Sequence, residues 1–481
     1  MTSYEKLVNN DIILNNFQAF TTKEPDNKKI IMTTHQTVSG SVSSHRSGPL
    51  GGTVTVPGDK SISHRSLILG GLAIGTTTVE GLLEGEDVLC TAEAMRKMGA
   101  RINRNDDGTW SVSGVGVGGL SEPDSVLDMG NSGTAARLLM GLVAAAPFNT
   151  FFSGDASLHK RPMRRVAVPL TEMGATITSR SGDRFPLCVT GRDLMPVEYE
   201  LPVASAQVKS CVLLAGLDTP GITTVIEPKP TRDHTENMLR HFGAEVSVEE
   251  RDDGGRIISL AGQQELTAAR VVVPGDPSSA AFLAVAAAII PGSDVIIENV
   301  GLNPLRDGIF DTLGDMGADI EILNIRVEAG EQVGDIRVKG GLLKGCVVPP
   351  ERAISMIDEY PVLFVAASFA SGKTTMRGLE ELRVKESDRI AVMAEGLRDC
   401  GVKLEELDDG LIIHGNAMPP KGGATVKTEL DHRIAMSFLV MGLGSEEPVT
   451  VDDGSVMETS FPGFIQLMNS LGAKIGTGSD T

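Results

Sequence analysis

The sequence predicts an α/β protein of two similar domains, built from six copies of one helix–strand–helix–strand–strand unit. Three observations carry this: a glycine motif recurs six times, a short apolar helix rich in small residues precedes each copy, and β-rich runs follow those helices.

The glycine motif is a hydrophobic residue, three others, Gly, usually Ala, one more residue and an aliphatic. It stands at Met95-RKMGAR-Ile102, Leu170-TEMGAT-Ile177, Leu239-RHFGAE-Val246, Leu313-GDMGAD-Ile320, Leu397-RDCGVK-Leu404 and Met468-NSLGAK-Ile475. Its spacing of about 70–85 residues is too long for a solenoid repeat and suits a small folding unit. Physically it is a helix end, with glycine in the left-handed position just past the last turn and a strand beginning after it.

The apolar helices open at Lys60, Asn131, Ser205, Asp276, Asp358 and Asp431. Each starts polar and then turns apolar nearly all round, as a helix buried in a domain centre does. Runs such as Thr76-TTVEGL, Gly221-ITTVIEP, Ser293-DVIIENV and Pro448-VTVDD read as the strands that follow. Pro57-Gly58 and Pro274-Gly275 each break the chain before a buried helix. They divide it into a three-unit domain over 58–273 and a second over 47–57 plus 274–481, with the active site in the cleft between. Residues 1–46 are polar and lack periodicity, so a disordered tail is expected there, with Met32 as an alternative start.

Composition narrows the function. A chain of 481 residues is long for one core, and 22% charged with 41% hydrophobic residues is globular. A formal charge of −20 argues against nucleic acid as a partner. Stretches such as 280–290 are too short to span a bilayer, so no membrane is expected. No charged-then-apolar leader opens the sequence, and the 5 cysteines are odd in number and widely spaced. They read as reduced thiols of a cytoplasmic protein with no metal site.

Five constellations bear on chemistry. Lys60, Ser61 and Arg65 lie in the first turns of a helix, and His159, Lys160, Arg161, Arg164 and Arg165 crowd one short loop of an acidic chain. Lys385, Glu386 and Arg389 would share a helix face if that stretch is helical. Asp431-His432-Arg433 and Asp358 open buried helices, where an aspartate is usually a cap. Capping does not explain Lys60, Arg65, Arg137, Lys209 or Arg433, because cations disfavour the positive end of a helix dipole. Their placement suggests an anion from outside the chain, held by backbone N–H groups and side chains together. Two decoys fail: Gly114-VGVG-Gly119 is not followed by a helix, and Ser371-GK-Thr374 lacks the first glycine of a phosphate loop.

In order along the chain stand PGDKSISHR, GNSGTAAR, KRPMRR, SAQVKS, TRDHTENML, DEYP, ELRVKESDR and DHRIAMSF. On these motifs the sequence resembles the 5-enolpyruvylshikimate-3-phosphate synthase family over about residues 48–475, and within it the class II, glyphosate-insensitive type. The resemblance implies two domains of three βαβαββ units each, an inverse α/β barrel. It implies transfer of enolpyruvyl from phosphoenolpyruvate to the 5-hydroxyl of shikimate 3-phosphate, by addition and elimination, in a cytoplasmic monomer needing no metal or organic cofactor. Asp358 would be the base on the hydroxyl, Glu386 would exchange a proton with the methylene carbon, and Lys60 would touch both substrates. Ser61, Arg65, Ser205, Ala206, Gln207, Arg232 and Lys385 would join Lys60 and Asp358 around shikimate 3-phosphate. Asn131, Gly133, Arg161, Gln207, Glu386, Arg389 and Arg433 would join Lys60 around phosphoenolpyruvate. Arginine suits such sites because its planar fork meets carboxylate and phosphate oxygens in pairs.

Departures from the family pattern matter. Ala206 replaces a serine, Thr459 replaces a lysine, Leu138 replaces a proline, and Gly133 stands where resistant class II members can carry alanine. Glyphosate is therefore expected to fit better than the class suggests. The nearest rival, the UDP-N-acetylglucosamine enolpyruvyl transferase family, shares fold and donor but has a Lys-Asn pair at Lys60-Ser61 and a loop cysteine unmatched here. A non-catalytic anion-binding relative would have lost Asp358, Glu386 or Lys60, and all three are present. The two domains are expected to close on shikimate 3-phosphate, because like-signed helix ends and cations would face each other until the anion arrives.

Overall fold

The computed structural model describes residues 40–477. All six motif glycines have positive φ, from 83° at Gly401 to 115° at Gly174. Each ends its helix with the same two backbone bonds: Gly99 N–H reaches Arg96 O and Ala100 N–H reaches Met95 O, and the other five repeat that pattern. This explains the motif letter by letter. The hydrophobic residue is the last inward one of the helix, glycine supplies the left-handed turn, and the small residue after it makes the closing bond.

Six sheets share one order. In the first, Arg270–Val272, Thr76–Glu80, Trp110–Ser113 and Arg101–Arg104 are neighbours, the first pair parallel and the rest antiparallel. The sheets around Asn149–Ser153, Ile222–Glu227, Asp294–Gly301 and Val449–Val451 repeat it. The sheet of Ser371–Met376 has three strands, with bridges from Lys344 and Val347 in the parallel edge position.

Two of these sheets exchange their parallel edge strands. Gly51–Thr55 precedes the first buried helix yet pairs with Asp294–Gly301, while Arg270–Val272 precedes the fourth yet pairs with Thr76–Glu80. The crossings lie side by side: Gly58 bridges Gly275, Asp59 N–H reaches Pro274 O at 2.7 Å, and Asp276 N–H reaches Pro57 O at 2.9 Å. Buried apolar side chains form two cores, one within 62–273 and one of Val42, Leu50, Val56 and residues from 280 to 475.

The expected tail over 1–46 needs a correction at its end; Met32 and the rest of 1–39 lie outside the described residues. Val42–His45 is a strand between Val449–Val451 and Lys474–Thr477. Val42 and Ser44 face inward, so this short alternating stretch completes the last sheet rather than remaining free.

The buried helices Gly133–Ala144 and Ala206–Leu217 pack so closely that a Cβ on Gly141 would collide with the Cys211 carbonyl. Gly141→Ala is therefore expected to destabilise the fold by about 1–3 kcal/mol, despite alanine's better helix propensity. A thermal unfolding midpoint at or above the unsubstituted protein's would contradict this packing.

Candidate active site

The buried helices begin much as expected, with one informative exception. Asp59, Ser132, Ser205, Asp276 and Asp431 each accept a backbone N–H of their own helix's first turn. Asp358 does not. It sits in a tight turn, Ile357–Glu359, before the helix Tyr360–Phe369, and its side chain caps nothing. The carboxylate is left for ion pairs.

Four cations answer it. Arg232 Nη2 lies 2.7 Å from Asp358 Oδ2, with Arg389 Nη1 at 3.2 Å and Lys385 Nζ at 3.4 Å from Oδ1. Arg433 Nη1 donates to the Asp358 carbonyl at 3.1 Å. Burial alone would raise the Asp358 pKa, but Lys385, Arg433, Arg232 and Arg389 together hold it well below the usual carboxylate range.

Glu386 forms the second pole. Arg389 Nη2 lies 2.6 Å from its Oε2 and Arg161 Nη1 3.8 Å from its Oε1. Here too burial opposes ionisation, and Arg389, Arg161 and Lys385 overcome it, so the free protein carries a carboxylate. Arg389 is almost fully buried and donates also to Asp431 at 2.8 Å. The expected helical face of Lys385, Glu386 and Arg389 does not form. The chain runs Glu380–Val384 as a 3₁₀ turn and restarts at Arg389 with Asp388 as cap, so Glu386 meets Arg389 across a helix start.

The other core contributes a matching row. Arg161 Nη2 donates to Asn131 Oδ1 at 2.9 Å, and Arg137 Nη1 donates to Gln207 Oε1 at 2.7 Å. Gln207 passes a bond on to Thr134 at 3.0 Å. Gly133 lies against both arginines: a Cβ there would sit 2.9 Å from Arg137 Nη1 and 3.3 Å from Arg161 Nη1. Burial, with Arg161 and Arg165 nearby, brings the Arg137 pKa down to about 10. Lys60 pairs with Asp87, while its backbone N–H reaches Asp276 Oδ2 at 3.2 Å. His432 is pushed down to about 4 by burial, with Arg433 and Lys60 adding to it, and is neutral at pH 7.

Several expected residues stand apart from this row. Arg65 is nearly sealed, donating to Thr235 and Ser210 at 2.7 Å each and to the Ser61 carbonyl at 2.9 Å. Lys209 is fully buried against Glu227 and Glu236. The positive charge of Lys209 at its helix start is thus met by carboxylates of the chain itself, while the hydrogen bonds of Arg65 go to neutral oxygens. Ser205 uses its hydroxyl to cap Val208 N–H, and Ala206 begins the helix beside it. Thr459 donates to Val456 O within its own turn.

Cations of both cores converge across the seam, with carboxylates between them. Arg232–Asp358 and Arg161–Glu386 each join a cation of the first core to a carboxylate of the second. The residue missed from sequence is Asp87, the partner of Lys60; Asp431 and Arg137 were singled out there, but not as the partners of Arg389 and Gln207. Asp87 lies outside every motif singled out in the sequence, so it had no signal there.

A family model described as EPSP synthase (3-phosphoshikimate 1-carboxyvinyltransferase) matches residues 45–468. The 3-phosphoshikimate 1-carboxyvinyltransferase of Paramagnetospirillum magneticum is 62% identical over 435 residues, covering 90% of this chain and 98% of that protein. The enzyme of the same name from Parvibaculum lavamentivorans is 60% identical over 436 residues, covering 90% and 97%. Among solved structures, an EPSP synthase from Acinetobacter baumannii superposes with a TM-score of 0.82 at 46% identity, covering 91% of this chain and 100% of that one.

Proposed function

The chain belongs to the EPSP synthase family, and from that premise we propose how the residues along the seam divide the reaction between them. The enzyme transfers the enolpyruvyl group of phosphoenolpyruvate to the 5-hydroxyl of shikimate 3-phosphate, releasing phosphate, on the route to chorismate and the aromatic amino acids. One observation carries the division of roles: two partly buried carboxylates, Asp358 and Glu386, share Arg389 and are met by Arg232 and Arg161 from the other core.

Asp358 takes the proton of the 5-hydroxyl as that oxygen attacks C2 of phosphoenolpyruvate. Glu386 delivers a proton to the methylene carbon C3. In the second half Glu386 takes a proton back from the new methyl group as the bond from C2 to the phosphate oxygen breaks. Both carboxylates are held ionised in the free protein by the very cations that would bind the substrates' phosphates and carboxylate. Binding of those anions offsets the cations and raises both pKa values, so Glu386 acquires its proton and Asp358 its basicity only when substrate is present. Lys60, Arg161, Arg389 and Arg433 surround phosphoenolpyruvate, with Asn131 and Gly133 along its edge. Ser61, Arg65, Ser205, Ala206, Arg232 and Lys385 surround shikimate 3-phosphate, and Gln207 lies between the ligands. Fixed guanidiniums in a dry site stabilise charge developing in the transition state without reorganising.

The two cores correspond in this reading to domains over 58–273 and 47–57 plus 274–481, which separate to admit substrate by breaking Arg232–Asp358 and Arg161–Glu386. Every proposed ligand group comes from one chain, which supports a monomer. A cytoplasmic location is supported by five free cysteines. Among the described residues no helix is long and apolar enough to cross a membrane.

The test is phosphate release from phosphoenolpyruvate with shikimate 3-phosphate, run beside UDP-N-acetylglucosamine. Release only with the first is expected; release only with the second overturns the reading. Gly133→Ala is a sharper probe. Its methyl would press on Arg137 and Arg161, so the glyphosate inhibition constant should rise by about tenfold or more, beyond the rise in KM for the smaller phosphoenolpyruvate. A millimolar constant in the native chain, unmoved by the substitution, would refute it.

A further inference from the structure

Beneath the seam, where the chain crosses between the two cores, lies a charged cluster with no part in the roles above. Arg306, in the loop between Asp294–Gly301 and Gly308–Asp315, is 3% exposed. Its Nη2 donates to Asp276 Oδ1 at 3.0 Å and to Ser278 Oγ at 2.9 Å, and lies 3.7 Å from Asp59 Oδ2. Asp59 and Asp276 are the caps of the two helices that begin at the crossing, taking Ile62 N–H at 2.9 Å and Ser278 N–H at 2.8 Å. Both caps are buried.

Two threads lead from this cluster to the reacting groups. The second oxygen of Asp276 accepts the backbone N–H of Lys60 at 3.2 Å. Ser278 Oγ donates to Glu359 Oε1, and Glu359 follows Asp358 directly and lies 3.7 Å from Arg433. One guanidinium thus joins the main chain at Lys60, in one core, to the residue beside Asp358 in the other.

We propose that Arg306 is a positioning residue for the reaction: by binding both crossing caps and Ser278 it fixes Lys60 relative to Asp358 and Arg433. The proposal rests on Lys60 and Asp358 being substrate-binding groups. Arginine is required rather than any cation, because all three contacts are made by Nη2, at the far end of a guanidinium that a shorter lysine side chain does not match in reach. A lysine ammonium keeps the charge but not that geometry. Displacing a reacting group by about 1 Å can cost on the order of 100-fold in rate.

The experiment compares Arg306→Lys and Arg306→Gln with the native enzyme. It measures kcat, KM for both substrates, unfolding midpoint, and shikimate 3-phosphate stoichiometry by calorimetry. An inactive native enzyme would count against the functional reading, not against this proposal. Per shikimate 3-phosphate site, kcat is expected to fall by roughly 10- to 100-fold in Arg306→Gln and less in Arg306→Lys. KM for shikimate 3-phosphate should stay within about threefold, since Ser205, Gln207 and Arg232 are untouched. A purely structural role would lower stoichiometry and midpoint while leaving kcat per site unchanged, and that result overturns the proposal. If neither variant folds, Ser278→Ala decides: Arg306 keeps Asp276 and Glu359 keeps Arg433 at 3.7 Å, and kcat per site should fall by about threefold or more, while an unchanged kcat overturns the proposal.

Discussion

Lys209→Met is expected to destabilise the protein by about 3–5 kcal/mol, because it strands two buried carboxylates. Lys209 Nζ lies 3.0 Å from Glu227 and 2.7 Å from Glu236, with a further bond to the Thr231 carbonyl at 3.2 Å, and all three charged side chains are buried. Burial already pushes the Glu227 carboxyl up, against the pull of Lys209 and the Thr231 hydroxyl. A raised folded-state pKa means stability present at low pH and lost as pH climbs through that value. Without Lys209 the rise is larger, so the deficit of the variant should be greater at pH 8 than at pH 5. Denaturant unfolding at both pH values checks it, and a deficit under about 1 kcal/mol at pH 8 would mean the pair is not holding the fold. Activity should suffer too, since the segment that Lys209 anchors at Thr231 carries Arg232, which reaches Asp358.

The same lysine shows where sequence reasoning runs out. Lys209 stands four residues past a helix cap, which suggested an external anion. Its actual partners come from a strand ending at Glu227 and from the helix His234–His241, and their distance from it in sequence carries no hint of contact. The glycine motif was legible for the opposite reason, since both closing bonds lie within six consecutive residues and recur at all six sites. The strand Val42–His45 was invisible because its pairing partners lie about 400 residues away and it is only four residues long. Motifs located Asp358 and Glu386, but only coordinates show that Asp358 caps nothing and that Glu386 meets arginines of both cores. Short-range hydrogen-bond patterns write themselves into sequence, whereas ion pairs across a seam depend on how separately folded parts meet.

Glu386→Gln is expected to lower kcat by about 10²–10⁴ while leaving the fold and shikimate 3-phosphate binding in place. The amide keeps the shape of the carboxyl but can neither deliver a proton to C3 nor take one back. Arg389 would lose its 2.6 Å partner yet keep Asp431 at 2.8 Å and Asp358 at 3.2 Å, so its guanidinium stays paired and ordered. Arg161 retains Asn131 at 2.9 Å. The variant therefore separates proton transfer from binding, which a change at Asp358 could not, since that carboxylate holds Arg232, Lys385 and Arg389 at once. Two measurements follow. In deuterated water, exchange of solvent hydrogen into the methylene of recovered phosphoenolpyruvate should slow as much as turnover, because C3 protonation is the step removed. Calorimetric binding of shikimate 3-phosphate should change by less than about threefold, since its proposed contacts are untouched. If turnover stays within about tenfold of the native enzyme, Glu386 is not the group that protonates C3. The ion pairs around it would then serve to hold Arg389 and Arg161 against the donor's phosphate.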